Sequence, residues 1–259
     1  RVRGGRQHDY VFHALSGEVR VEGLELGAAG PGSLAGPDID WSAAQIADGD
    51  LAGHPNDWNW VAPPGNGYGF LSGPRRGLAA GSWRAEWTLD PKSRLRLVMA
   101  AAPGTEVIAA RANGLYPHYP KSAYVLARRR GENLQSEYVA AVEPYGTTSR
   151  IVSVARLPLE PAAGEIAPVA VEVTLRDGTV DFFYSAGDDT PRRTPAGVSA
   201  AGRFVHARAR NGRAKLMLQS THASTCSSSS GSSTTNPSRN SPPAPRVNHS
   251  RAVAGRGFL

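Results

Sequence analysis

Every apolar run in this chain is cut by turn residues before it reaches helix length, and within the runs the side chains alternate. Arg6–His13 sets His8, Tyr10 and Phe12 on one face and Asp9, Val11 and His13 on the other. Alternation resumes over 18–26, 82–89, 93–100 and 105–110, with breaks at Asp90-Pro91 and Pro103-Gly104. Further runs follow over 122–129, 136–142, 150–157, 170–175 and 179–184. Asp177-Gly178, and Asn211-Gly212 between 204–209 and 214–218, are pairs that tolerate the positive φ of a two-residue hairpin. Asp40–Ile46 has room for one helical turn. The expected fold class is all-β: an antiparallel, multi-stranded β-sandwich over residues 1–220.

Two segments depart from this pattern. Residues 28–81 are dense in Gly and Pro and carry Trp41, Trp58, Trp60, Tyr68 and Phe70, which predicts a long aromatic loop on the β scaffold. From Thr221 the composition turns to Ser, Thr, Asn and Pro, so 221–259 is expected to be a low-complexity, disordered tail. Arg1 opens the chain without a start Met or a signal-peptide pattern, as expected of a segment from a longer protein. No apolar run approaches the ~18 residues of a membrane helix, so no membrane span is expected.

The net charge of +7 overstates the basic character of the folded part. Arg239, Arg246, Arg251 and Arg256 lie in a tail without an acid and leave a surplus of +3 for the rest. A surplus that small, with no basic helix to present it, argues against nucleic acid. It is compatible with an acidic polysaccharide, whose carboxylates match arginine forks. Cys226 is the only cysteine, which excludes a disulfide framework and a thiolate metal site.

Catalytic signatures are sparse. His8 and His13 stand an odd step apart and face opposite ways on a strand, and the other five histidines lack ligand spacing. No metal or other cofactor is therefore expected within the chain. Neither a G-x-S-x-G elbow nor a phosphate-binding loop before a helix is present. Asp48, Asp50 and Asp57 read as turn and capping acids. The aromatic loop says more. Trp58 and Trp60, then Tyr68, then Arg75 and Arg76 interleave flat apolar faces with cations, the mixture that stacks on a sugar ring and clamps its carboxylate. His118 and Tyr119, in the Pro-stiffened segment Tyr116–Lys121, form a second candidate contact. Trp83 and Trp87 differ by an even step and read as core.

Several segments, in order, resemble the C-terminal region of heparinase II/III-like polysaccharide lyases. Arg1–Gly5 running into His8-Asp9-Tyr10-Val11-Phe12-His13 resembles the family's RxxGG and HDYxxH stretch. Trp83 and Trp87 resemble the next landmark, and Tyr119-Pro120-Lys121 leading to Arg128-Arg129-Arg130-Gly131 resembles the arginine–glycine step. Tyr138–Tyr145, with Glu143-Pro144-Tyr145, is similar to the F-x-x-x-x-E-P-Y segment. The likeness spans about residues 1–190 and is at least as close to the oligo-alginate lyase branch. It implies a periplasmic or secreted enzyme that cleaves a uronate polymer by β-elimination, with an N-terminal α/α toroid ahead of the sandwich. In that family the main catalytic groups and the metal ligands precede the region matched here. This chain has no corresponding H-x-H or H-N pair. The resemblance thus implies a fragment inactive alone, with no catalytic residue assigned and a divalent metal only in the full-length enzyme. Two further readings stay open: a non-catalytic carbohydrate-binding module, and a structural sandwich whose exposed sheet edge favours a homodimer.

Overall fold

The structure, a computed structural model, describes residues 2–39, 67–100, 103–112, 121–160, 167–194, 198–211 and 213–220. Trp58, Trp60, His118, Tyr119, the turn expected over 40–46 and the tail from 221 lie outside the described residues. What is described is all-β, with antiparallel pairing throughout the paired strands and a single 3-10 turn. The chain gathers into two compact units, 1–156 with 171–178, and 157–170 with 179–259.

The first unit contains β1 (Val2–Arg3), β2 (Gln7–Ala14), β3 (Arg20–Glu22), the 3-10 turn Tyr68–Phe70, β4 (Leu71–Ala79), β5 (Trp83–Asp90) and β6 (Ser93–Met99). It continues with β7 (Thr105–Ala112), β8 (Ser122–Arg130), β9 (Gln135–Ser136), β10 (Ala140–Tyr145), most of β11 (Ile151–Leu157) and most of β12 (Val169–Leu175). One sheet has the order β2-β8-β7-β4 and another β10-β6-β5-β3. Their facing sides share one core. Ala14, Val107, Val125 and Ala127 from the first meet Trp83, Ala85, Trp87, Leu97 and Met99 from the second. This is the expected sandwich, built by alternation: each strand sends every second side chain inward.

Trp83 and Trp87 are 2% and 0% exposed, so the even-step reading holds. Trp87 also donates from Nε1 to the Ala123 carbonyl across the core, at 2.8 Å. An indole so placed contributes about 3–5 kcal/mol, judged by truncation to Ala.

The second unit contains β13 (Val180–Ser185), β14 (Arg192–Arg193), β15 (Ser199–Ala200), β16 (Phe204–Arg210) and β17 (Arg213–Ser220). Its core gathers Leu159, Ala170, Phe182, Tyr184, Ala186, Ala200 and Val205. Asn211, at φ 51°, turns the β16–β17 hairpin as its sequence predicts.

Two expectations change. The strand predicted over 18–26 is realised only as β3, because Gly23 at φ 92° ends it. A Cβ there would sit 3.0 Å from the Ser82 carbonyl, so only glycine fits this close approach. The second change lies in 28–81, read as loop, where residues 71–79 form a full strand. Its Pro74 falls in the register break between Ser72 and Arg75, where no ladder N–H is needed.

Candidate functional site

The outer face of the β2-β8-β7-β4 sheet holds an ion pair under a phenol ring. Alternation sends Asp9 of β2 and Arg128 of β8 outward, and the register sets them directly opposite. Arg128 grips the carboxylate with two prongs, Nε to Oδ1 at 2.8 Å and Nη2 to Oδ2 at 2.7 Å. Both side chains are about 5% exposed or less. Tyr68, from the turn before β4, donates its hydroxyl to Asp9 Oδ2 and lays its ring over the guanidinium, 5.4 Å from centroid to Cζ.

Burial acts to raise the Asp9 carboxyl, but the hydrogen bonds from Arg128, Tyr68 and Gln7 and the Arg128 charge outweigh it and hold it below the usual range. Burial and the adjacent Asp9 push the Tyr68 phenol up. Tyr68 is therefore a donor that keeps its proton, and a poor base. The charged row continues along the register to Glu106, which pairs with Arg76 at 2.9 Å and Arg130 at 3.6 Å.

Arg75 and Arg76, adjacent in sequence, part company. Arg76 pairs with outward-facing Ile108 and Arg75 with Ala109, on the opposite face. Arg76 borders a cleft of about 370 Å³ with Gly27, Pro31, Leu34 and Pro74. Arg75 lines a separate cleft of about 460 Å³ with Glu18, Ser72, Ala109 and Arg111. The bulge at Gly73-Pro74 sets this second site. It opposes Ser72 to Arg111 and Arg75 to Ala109, so Arg75 and Arg111 occupy neighbouring rungs of one face. Arg75 is braced by carbonyls, Nε to Gly27 at 3.1 Å and Nη2 to Leu26 at 3.5 Å. Arg111 leans on Glu18 at 3.7 Å, both side chains largely in solvent. Lys121 packs beside Gly17 at the same mouth.

Of the predicted contacts, then, Tyr68, Arg75 and Arg76 are described, and they stand in three different settings. Sequence reading overlooked Arg111, Ser72 and Glu18. The parity of β7 puts Arg111 on the face of Val107 and Ala109, but only the pairing with β4 brings it to Arg75.

The Glu143-Pro144-Tyr145 segment serves the fold. Glu143 accepts from Arg96 Nη2 at 2.9 Å and from the backbone N–H groups of Arg150 and Ile151, closing the turn between β10 and β11. Tyr145 donates to Glu86, and burial together with that carboxylate raises its phenol to about 12. His8 is equally occupied. Its Nε2 meets the Gly4 carbonyl, an acceptor only, and its Nδ1 lies 2.9 Å from Ser136 Oγ. No three of His, Cys, Asp and Glu converge among the described residues. None of the described helices is long and apolar enough to cross a membrane.

Comparison with protein-family models gives no match, and comparison with curated proteins gives none either.

Proposed function

We propose that this chain is the C-terminal β-sandwich part of an exported heparinase II/III-like lyase, and that it holds a uronate chain against an α/α toroid that performs the β-elimination. The reading is carried by one observation: Arg75 and Arg111 on adjacent rungs of one face, in an open cleft of about 460 Å³. Two guanidinium groups so placed suit the carboxylate of an acidic sugar, and Ser72, whose hydroxyl donates to the Arg111 carbonyl at 3.2 Å, keeps lone pairs that can accept from a sugar hydroxyl. Elimination needs the uronate charge neutralised, the C5 proton removed and the leaving oxygen protonated. This chain's share is the first requirement. The ordered resemblance supports the assignment to a lyase; of its motif residues, Asp9 and Arg128 pair with each other, and Glu143 accepts separately from Ser149 and Arg150.

A second reading, a carbohydrate-binding module without catalysis, is favoured by a specific observation. Every buried ionisable side chain among the described residues has a partner: His8, Arg96, Arg128, Glu143, Asp181, Tyr184 and Arg192. The readings separate in one assay, in which the full chain is mixed with a separately expressed toroid and oligouronate, and absorbance of the unsaturated product is followed. Acceleration by the wild-type chain, lost with Arg111→Ala, is expected. Uronate binding without acceleration leaves the module reading, and absence of binding removes both.

A further inference from the structure

Basic charge is unevenly spread along the chain. Residues 190–220 hold seven bases and no acid, more than the whole surplus of +3 over 1–220, so the part before them is net acidic. Four of the seven meet on one face of the β16–β17 hairpin. The register sets Arg208 opposite Lys215 and Arg210 opposite Arg213, and the irregularity in this ladder lies beyond them, between His206 and Ala207. Opposed residues share a face, as do residues two apart, so all four project the same way. Asp181 of β13 answers Arg208, accepting from Nε at 2.7 Å and from Nη2 at 2.8 Å. Arg213 and Lys215 are exposed, and each has a cation rather than an acid across its rung. No described strand pairs with the far side of β17, whereas the free edge of β4 is covered, Gly27 and Gly30 donating to the carbonyls of Arg76 and Pro74. Like charges directly opposite each other destabilise a sheet, so the array stands to gain from anions laid over it.

We propose that this face is a second binding site, on the second unit, for a linear acidic polysaccharide. Same-face rungs recur about every 7 Å and neighbouring strands lie about 5 Å apart. The cations therefore form two short rows, which suit a chain with a carboxylate on each unit better than one compact anion. Duplex nucleic acid fits poorly. Its major groove admits a two-stranded ribbon, whereas β13 flanks this hairpin and sets the Asp181 carboxylate beside Arg208. A single strand needs aromatic platforms, but Phe183 and His206 on this face are stacked on each other, 4.4 Å apart and 11° from parallel. A lipid surface needs cations and apolar groups in one plane. Here the exposed Leu216, opposite Ala207, and Leu218, opposite His206, point to opposite faces. That the polysaccharide is a uronate polymer rests on the function proposed above; the array itself asks only for anions in a line.

Calorimetry with polygalacturonate at low salt tests this, using the full chain with Arg75→Ala/Arg111→Ala so that the cleft of the first unit does not contribute. Exposed cations contribute little singly, so the polymer is expected to bind while a short oligouronate is not. Adding Arg213→Gln/Lys215→Gln is expected to weaken polymer binding about tenfold and to flatten its salt dependence. Arg213→Lys/Lys215→Arg, which keeps both charges, is expected to bind as its parent does. Because the first cleft is absent from the assay, failure of the array and failure of that cleft are separable. Three results would each overturn the proposal: no binding of the polymer, binding unmoved by the glutamine pair, or binding equalled by neutral dextran. Tighter binding of single-stranded DNA or of phosphatidylglycerol vesicles than of polygalacturonate, lost in the same glutamine pair, would overturn it in favour of that partner.

Discussion

Asp9 and Arg128 lie far apart in sequence and meet because two strand parities agree, each sending its charged residue outward at the same rung. Breaking so buried a pair leaves one charge uncompensated, so Asp9→Asn or Arg128→Met is expected to cost about 3 kcal/mol in urea unfolding. Tyr68→Phe removes one hydrogen bond to the carboxylate and is expected to cost about 1 kcal/mol while leaving oligouronate affinity unchanged. A loss of affinity in that variant would return Tyr68 to the sugar site. Glu18 competes with any acidic ligand for Arg111. Glu18→Gln is therefore expected to tighten uronate binding a few-fold by calorimetry, an effect that high salt diminishes. At this scale the sequence offered residue types and faces. It set Arg75 beside Arg76, whereas the two diverge on their strand and strand pairing brings Arg111 alongside Arg75.

At the scale of elements, β4 carries Arg75 of the proposed uronate site, and it is the strand that Gly and Pro disguised. Its two constraints sit side by side: a bulge at Gly73-Pro74 that aims Arg75, and Gly77, where the chain before it passes close. A Cβ on Gly77 would lie 2.2 Å from the Glu25 carbonyl, so Gly77→Ala is expected to loosen the cover over the β4 edge. Faster amide exchange at Gly27 and Gly30 would register it, and unchanged exchange would show that the cover adapts. Strands with plain alternation, such as β2, β5 and β8, were legible from sequence. β3 and β4 were misjudged because glycine geometry and a bulge overrode local pattern. The Glu143-Pro144-Tyr145 segment was visible as a motif, whereas its work, holding the β10–β11 turn, depends on Arg96 from another strand.

For the whole molecule, the acids that hold each unit together set its response to pH. Asp9 and Glu143 in the first unit and Asp181 in the second are all held below their ordinary values of 3.8 and 4.5. For Asp9 and Glu143 burial opposes the shift and hydrogen bonds outweigh it, while for Asp181 the Arg208 bond leads. A lowered native value stabilises the fold above the unfolded value and loses that contribution as pH falls through the native one. Thermal midpoints are thus expected to be flat above about pH 5 and to fall steeply below about pH 4, less so in Asp9→Asn. The all-β class was readable throughout, since alternation and turns are local. The division into two units was not, because it depends on which strands find each other. The most direct test of the account is calorimetric titration of the full chain with a uronate oligosaccharide and with a neutral one of equal length. Binding of the acidic chain alone, abolished in Arg75→Ala/Arg111→Ala, is the expected result; equal binding of both sugars, or acidic binding unmoved by the double substitution, would contradict it.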